Sequence, residues 1–207
     1  MDARLARWLE ALVATPGLTA IADPEEARRV HVEDALAALP VLGDGPVVDV
    51  GSGGGSPGLP LAVARPDLGF TLLEATRRKC AFLVEQATVF PNVRVVCDRA
   101  EVHGRGEGRD AYGTAVARAL ATPAVALEWC LPLVRPEGIC VLYAGEAGAG
   151  PGLGEVCREL GAAAPEVYPT PGADRRVLLV ARKLTPTPER FPRRPGVAKK
   201  RPLGPLA

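Results

Sequence analysis

The residues best suited to carry chemistry form one glycine-rich segment, Asp49-Val50-Gly51-Ser52-Gly53-Gly54-Gly55-Ser56-Pro57-Gly58. It directly follows the apolar pair Val47-Val48, and it holds five glycines within eight residues. Glycine costs backbone entropy, so it is expected where φ is positive or where a ligand approaches the main chain. Between a buried strand and a helix, such a loop predicts a site for an adenosine-bearing cofactor at a helix N-terminus.

A second acidic residue supports this prediction. Glu74 ends the apolar run 70–73 and lies 23 residues after Gly51. A carboxylate at the tip of the second strand, roughly 20 residues beyond the first loop glycine, can accept hydrogen bonds from both ribose hydroxyls. The loop and Glu74 together indicate a nucleoside cofactor. They leave NAD(P) and S-adenosylmethionine open, because residues 53–58 also satisfy the pattern G-x-G-x-x-G.

The elements that must position these residues alternate between strands and helices after Pro46. Before that point, apolar spacing predicts a helix over 2–14, and Asp23 with Pro24 predicts the start of a second helix that runs to about Leu39. The expected strands are 47–50, 70–73, 93–97, 114–117 and 139–143, and the expected helices are 58–65, 76–90, 123–134 and 152–161. This alternation predicts an α/β fold with a doubly wound, mostly parallel sheet.

The end of the chain breaks the alternation. A short strand at 166–168, a turn at 169–174 and a longer strand at 175–183 follow each other too closely for a parallel crossover. We therefore expect an antiparallel C-terminal hairpin at the edge of a seven-stranded sheet. This combination is typical of Rossmann-like class I methyltransferases.

Charge and composition divide the chain into three expected parts: an N-terminal helical extension (1–45), a cofactor-binding domain (46–183) and a basic tail (184–207). From residue 182 onward, eight basic residues face one acid, a net charge of +7. The remainder then carries −6 of the overall +1. An acidic body with a basic tail indicates a polyanionic partner near the tail.

Other features exclude several classes. The five cysteines form no C-x-x-C pair, which argues against a metal site and against a disulfide framework. No apolar run approaches the roughly 20 residues that span a membrane, and the N-terminus lacks the apolar core of a signal peptide. We expect a cytoplasmic protein without metal or membrane contacts. Because no heptad or large apolar repeat is present, we expect a monomer.

Two points favour S-adenosylmethionine over NAD as the cofactor. The chain has no second catalytic domain after its nucleotide-binding half. Its two histidines, His31 and His103, are far apart and provide no evident proton-transfer pair, which hydride transfer to a carbonyl usually needs. Methyl transfer to a ring nitrogen with a free lone pair needs alignment more than proton transfer.

Several motifs resemble those of the glucose-inhibited division protein B family, and the likeness covers nearly the whole chain. They are Leu18-Thr19-Ala20-Ile21, His31-Val32-Glu33-Asp34-Ala35-Leu36, Asp49–Gly58 with Leu59-Pro60-Leu61, Leu72-Leu73-Glu74, Arg99-Ala100-Glu101, Ala117-Arg118-Ala119 and the tail from Phe191-Pro192-Arg193-Arg194 to Leu203. The family contains bacterial 16S ribosomal RNA methyltransferases that modify a guanine at N7. The resemblance therefore implies S-adenosylmethionine as cofactor and 16S rRNA in the 30S subunit as partner.

The resemblance also implies roles for individual residues. Arg118 would face the methyl-transfer centre as a positioning residue and would border the cofactor. The other implied cofactor-binding residues are Asp49, Gly51, Gly53, Gly55, Ser56, Glu74, Ala75, Thr76, Ala100 and Glu101. The implied RNA-binding residues are Arg193, Arg194, Lys199, Lys200 and Arg201.

Three alternatives remain at this point. The first is a methyltransferase of the same fold that acts on a small molecule or a protein, for which the basic tail would be dispensable. The second is an rRNA-binding assembly factor that keeps the fold without turnover. The third is an NAD-dependent enzyme, although that activity gives the basic tail no role.

Overall fold

Seven strands form one sheet in a computed structural model that describes residues 1–170 and 176–204. The strand order is β3-β2-β1-β4-β5-β7-β6. Strands β1 to β5 pair in parallel, whereas β7 pairs antiparallel with both β5 and β6. The strands are β1 (Val47–Val50), β2 (Phe70–Glu74), β3 (Val93–Cys97), β4 (Tyr112–Arg118), β5 (Val134–Gly145), β6 (Glu166–Pro169) and β7 (Arg176–Arg182).

Within the described residues, two α-helices precede the sheet, five lie between its strands in the chain, and α8 follows the last strand. They are α1 (Ala3–Ala14), α2 (Pro24–Arg28), α3 (Gly58–Ala64), α4 (Arg77–Ala87), α5 (Ala100–His103), α6 (Pro123–Cys130), α7 (Leu153–Glu159) and α8 (Val197–Lys200). Asp2 caps α1, and Asp23 caps α2 by accepting a hydrogen bond from the Glu26 N–H at 2.8 Å. The expected first helix is therefore present with its N-terminus defined by a side-chain cap.

The predicted doubly wound sheet with a C-terminal antiparallel hairpin is confirmed. Two strands exceed their expected bounds by more than one residue: β4 covers Tyr112–Arg118, and β5 begins at Val134 although Pro136 and Gly138 favour a break. The β4–β5 pairing accommodates this stretch through a register shift between Tyr112 and Thr114. In the expected hairpin, residues 171–175, which include most of the turn and the first strand residue, lie outside the described residues.

The predicted single helix from Asp23 to Leu39 is wrong. Only α2 is an α-helix there, and it continues as a π-helical turn at Arg29–Glu33 and a 3₁₀ segment at Asp34–Val41. Side chains from the sheet take up carbonyl groups in this stretch: Arg118 donates to the Val30 oxygen, and Tyr143 donates to the Ala35 oxygen. These bonds compete with the regular i to i−4 ladder, and π-turns of this kind are frequent at functional sites.

Both ends of the chain contribute to the cores on the two faces of the sheet. On one face, α1 buries Trp8 and Leu12 against side chains of α3, β2 and α4. On the other face, Phe191 and Ala198 from the C-terminal segment share a core with α6 and the strands, and each is 1% exposed. The terminal segments therefore pack against the sheet that carries the glycine-rich loop.

The two tryptophans provide a matched test of how α1 holds this loop. The Trp8 indole donates a 2.7 Å hydrogen bond to the Gly54 carbonyl, whereas the Trp129 indole N–H has no hydrogen-bond partner within residues 1–170 and 176–204. We predict that Trp8→Phe lowers the free energy of unfolding by about 1–2 kcal/mol more than Trp129→Phe, because it leaves a carbonyl group unpaired. Urea denaturation measures both values, and equal losses would contradict this account.

Candidate active site

A cavity of about 310 Å³ opens at the carboxyl ends of β1 to β4. This is the edge of an open parallel sheet at which ligands bind. Six of the predicted cofactor-binding residues line it, namely Gly51, Glu74, Ala75, Thr76, Ala100 and Glu101. They come from three separate strand tips, so the fold gathers them although they are far apart in sequence.

The Glu74 carboxylate organises this cavity. Its side chain is buried, with 6% of the residue exposed. One oxygen accepts a hydrogen bond from the Gly53 N–H at 3.0 Å, and the other accepts from the Thr76 N–H at 2.7 Å. A carboxylate has about four lone-pair sites, so each oxygen can accept a further bond from a ligand hydroxyl. Glu74 thus joins the glycine-rich loop to the segment that begins α4.

The backbone of the loop requires glycine at position 51, which lines this cavity, and at position 53, whose N–H donates to Glu74. Gly51 and Gly53 have φ values of 71° and 57°. A Cβ atom on Gly51 would also lie 2.4 Å from the Leu120 Cδ1 atom. Gly58, where α3 begins, is confined as well, because its Cβ would lie 2.7 Å from the Asp49 Oδ2 atom. The main chain can therefore approach its neighbours, and a ligand, more closely than any other residue would allow.

Four other residues predicted to bind the cofactor do not line this cavity. Asp49 lies beneath the loop, where it accepts a hydrogen bond from the Gly58 N–H at 3.0 Å. Gly53 contributes its N–H to Glu74, and Gly55 packs against Trp8 and Leu59. Ser56 donates a 2.7 Å hydrogen bond to the His31 carbonyl. In this structure their contacts shape the loop and attach the N-terminal segment to it.

Arg118 lines a second cavity of about 440 Å³, which borders the first at Ala119. Its guanidinium donates to the Val30 carbonyl at 2.5 Å and lies 3.2 Å from the His31 Nδ1 atom. Ala119, the next residue, has a left-handed φ of 53°. A non-glycine residue in this region is strained, and such strain concentrates at functional sites.

The electrostatics of this second cavity keep its histidine neutral. Burial and the adjacent Arg118 guanidinium lower the pKa of His31 to about 4. Burial also lowers the pKa of Arg118 itself. A neutral imidazole can accept a hydrogen bond at Nδ1 from Arg118 while its Nε2 atom lies 2.9 Å from the Thr19 hydroxyl. The N-terminal segment thereby becomes part of the cavity wall.

Sequence reasoning missed several residues that line the first cavity, among them Lys79, Asp98, Arg99, Leu120 and Trp129. Asp98 could have been found, because it directly follows the third strand just as Glu74 ends the second. Trp129 appears in the sequence as an apolar helix residue, and it is indeed 7% exposed. Its position at the cavity wall depends on how α6 packs, which local sequence does not specify.

The tail cations separate into two groups. Arg193 forms a bidentate ion pair with the buried Glu128, at 2.6 Å from its Nε atom, so this contact fixes the tail to the body. The Lys183 ammonium is fully buried and bonds to Asp110, Thr187 and the Leu131 carbonyl. Arg190 is exposed and lies 3.4 Å from the Glu159 carboxylate. The other exposed basic side chains of the tail form no ion pair within residues 1–170 and 176–204, namely Arg194, Lys199, Lys200 and Arg201.

Part of the segregated charge is therefore used inside the molecule. Arg193, Lys183 and Arg190 each pair with an acid of the body. Acidic residues of the body thus neutralise part of the positive charge near the C-terminus. Arg193, which the sequence analysis assigned to RNA, therefore has a partner within the protein in Glu128. The side chains of Arg194, Lys199, Lys200 and Arg201 remain exposed.

The donors and acceptors of the first cavity fit an adenosine-bearing cofactor. They provide a carboxylate with free acceptor capacity at Glu74, a loop that only glycine can form at Gly51, and polar groups near the start of α5.

Across residues 1–170 and 176–204, no group of three or more His, Cys, Asp and Glu side chains could hold a metal ion. In the same residues, no helix combines the length and apolar character needed to cross a membrane.

The family described as "rRNA small subunit methyltransferase G" (GidB) matches residues 3–150, which is more than half of the chain. The chain belongs to this family. The resemblance inferred from the motifs is thereby confirmed, and so is the prediction of a methyltransferase. A GidB relative named "Ribosomal RNA small subunit methyltransferase G" from Moorella thermoacetica is 40% identical over 198 residues, which covers 90% of this chain and 82% of the relative.

Solved structures show the same fold at low sequence identity. Precorrin-6y C5,15-methyltransferase from Geobacter metallireducens has a TM-score of 0.52 at 17% identity, with 84% of this chain and 95% of that chain covered. A point mutant of MtNAS in complex with S-adenosylmethionine has a TM-score of 0.59 at 13% identity, with coverages of 87% and 72%. These matches confirm a Rossmann-like class I methyltransferase fold for this GidB protein.

The geometry at Glu74 yields a direct prediction. Glu74→Gln should weaken binding of S-adenosylhomocysteine at least about tenfold, because the amide NH₂ group would face a backbone N–H and could not accept from a ribose hydroxyl. Isothermal titration calorimetry measures the affinity. Glu85→Gln, an exposed change on α4, is the matched control and should bind normally. Unchanged affinity in Glu74→Gln would exclude the carboxylate as the ribose-binding group.

Asp49 makes the stability of the fold depend on pH. Burial raises the pKa of its carboxyl to about 7, and the Gly58 N–H opposes this shift only in part. Between about pH 4 and pH 7 the folded state therefore holds a proton that the unfolded state has released, so this group makes folding less favourable as the pH rises. The lowered pKa of His31 acts in the opposite direction, because the unfolded state gains a proton below about pH 6.5.

We predict that Asp49→Asn removes the pH dependence of stability that is due to Asp49 and leaves the one that is due to His31. The asparagine oxygen can still accept from the Gly58 N–H. The free energy of unfolding of the variant, relative to the unchanged protein, should therefore rise by roughly a few kcal/mol from about pH 5 to about pH 8. Urea denaturation at several pH values measures this difference. A difference that does not vary with pH would show that Asp49 is ionised in the folded protein.

Proposed function

We propose that this protein transfers the methyl group of S-adenosylmethionine to N7 of a guanine in 16S rRNA of the small ribosomal subunit. The observation that carries the proposal is the cavity at the strand tips, with Glu74 and Gly51 in its wall, in a chain of the GidB family. The relative from Moorella, a ribosomal RNA small subunit methyltransferase by name, indicates the class of RNA, and the motif resemblance indicates the guanine N7 atom. We place the activity in the cytoplasm with the ribosomal subunits.

Each wall of the first cavity would hold a different part of the cofactor. Glu74 would accept hydrogen bonds from the ribose hydroxyls, and Ala75 with Thr76 would border the same group. Ala100 and Glu101 would lie beside the adenine, and Gly51 would allow the amino-acid part to approach the main chain. When bound, S-adenosylmethionine supplies an electrophilic methyl group on its sulfonium centre.

The residues of the second cavity would orient the guanine. Guanine N7 carries no proton, so the reaction needs no general base, and the neutral His31 is compatible with this. Arg118 lines the second cavity as a positioning residue, directly before Ala119, at which the two cavities meet. Its guanidinium contacts the Val30 carbonyl and the His31 ring. Arg118 would therefore orient the guanine both by fixing this part of the cavity wall and by its positive charge. Precise alignment is then the main contribution of the protein to the rate.

The exposed tail cations would contact the RNA backbone. Arg194, Lys200 and Arg201 lie on the outer side of a segment whose inner residues are buried, and aromatic residues are only 4% of the chain. Phosphate contacts rather than base stacking should therefore dominate binding, which makes binding sensitive to salt. Deleting the tail would not test this, because Phe191 and Ala198 would be lost from the core.

The decisive experiment follows methyl transfer to ribosomal subunits. We expect the purified protein to transfer radiolabelled methyl groups from S-adenosylmethionine to small subunits from a strain that lacks this modification. Borohydride and aniline treatment should then cleave the RNA at a single N7-methylated guanine, and large subunits should remain unlabelled. Label on another atom, or cofactor binding without any transfer to small subunits, would contradict the proposal.

A variant tests the RNA-binding surface in the same assay. The triple change Arg194→Ala, Lys200→Ala and Arg201→Ala should raise the KM for small subunits and leave the affinity for S-adenosylhomocysteine unchanged. The slope of log affinity against log salt should decrease by about 2–3, since each lost phosphate contact contributes nearly one. An unchanged slope would place the RNA on another surface.

A further inference from the structure

One tail residue lies on the wall of the first cavity instead of the outer surface. Lys199 lines this cavity together with Trp129, Ala100 and Glu101. Its Nζ atom lies 5.5 Å from the centroid of the Trp129 ring, a cation–π contact. The adjacent Lys200 does not line the cavity. Two neighbouring lysines of the same motif therefore face different surroundings.

The position of Lys199 is fixed by the residues around it. The Gly196 N–H donates to the Glu101 carboxylate at 3.0 Å, and Ala198 is 1% exposed in the core. On the other side, Arg193 donates to the Arg201 carbonyl at 2.8 Å and pairs with the buried Glu128. The body thus holds the short helix α8 at both ends, and Lys199 projects from an anchored backbone.

The chemistry of this wall fits an adenine ring. The ribose-binding candidate Glu74 lines the same cavity as Trp129 and Lys199. The tail meets the start of α5 through the Gly196 N–H, which donates to Glu101 three residues before Lys199. Adenine offers ring nitrogens that accept hydrogen bonds, and an ammonium group donates three. Trp129 lines the same wall, so its indole ring adds apolar surface beside the Lys199 ammonium group.

We propose that Lys199 is a cofactor-binding residue that contacts the adenine end of S-adenosylmethionine, so that the C-terminal tail forms one wall of the cofactor site. This inference rests on the proposed function. It assigns Lys199 to the cofactor, whereas the tail motif had placed it with the RNA-binding residues. Lys200 of the same helix is exposed on the outer surface. In this proposal the short helix α8 therefore borders both the cofactor and the RNA.

Calorimetry with two ligands tests the proposal. Lys199→Met keeps the length of the side chain and removes its charge and donors, so we expect it to weaken S-adenosylhomocysteine binding about tenfold. Lys200→Met is the matched control and should stay within about twofold of the unchanged protein. Lys199→Arg should recover most of the lost affinity. Thermal denaturation should give midpoints within about 4 °C for all three variants, since both side chains are exposed and an exposed cation–π contact contributes only about 0.5–1 kcal/mol.

The second ligand identifies the end of the cofactor that Lys199 contacts. 5′-Deoxy-5′-methylthioadenosine contains the base and ribose but lacks the amino-acid part, so Lys199→Met should weaken its binding by the same factor. A loss seen only with S-adenosylhomocysteine would overturn the assignment to adenine. Equal binding by Lys199→Met and the unchanged protein would overturn the proposal alone. Failure of the unchanged protein to bind either ligand would overturn the proposed function as well.

Discussion

The Glu74 carboxylate is the constraint on which the candidate site depends. It ties the Gly53 N–H of the glycine-rich loop to the Thr76 N–H ahead of α4. A buried carboxylate without such donors would be costly, so the loop and the strand tip stabilise each other. The two segments that would hold the cofactor are in this way positioned before any ligand arrives, which lowers the entropy cost of binding.

The rest of the molecule supports this arrangement from both ends of the chain. Trp8 and Ser56 attach the N-terminal segment to the outer half of the loop, and Arg118 attaches the same segment to the sheet. The tail is held to the body by Arg193, which pairs with Glu128, and it reaches the cavity wall where the Gly196 N–H donates to Glu101. Changes in either terminal segment should therefore affect the cofactor site as well as the proposed contact with RNA.

Local patterns predicted the framework because each depends on neighbouring residues. The apolar runs, the glycines at 51–58 and the spacing to Glu74 specify strands, a loop and a carboxylate at a strand tip. The irregular segment at Arg29–Val41 could not be predicted, because the side chains that bond to its carbonyl groups are distant in the sequence. Arg118 lies 88 residues after Val30, and Tyr143 lies 108 residues after Ala35. The charge pattern and the tail motif placed Arg193 and Lys199 among the expected RNA-binding residues. In the structure, Arg193 contacts Glu128 and Lys199 contacts Trp129. These contacts join residues that are far apart in the sequence, so local patterns do not predict them.

The most direct test of this account is a crystal structure of the protein with S-adenosylhomocysteine. The account predicts ribose hydroxyls within hydrogen-bond distance of the Glu74 carboxylate, and adenine between the Ala100–Glu101 turn and the wall formed by Trp129 and Lys199. A ligand bound outside this cavity, or inside it with the ribose away from Glu74, would contradict it.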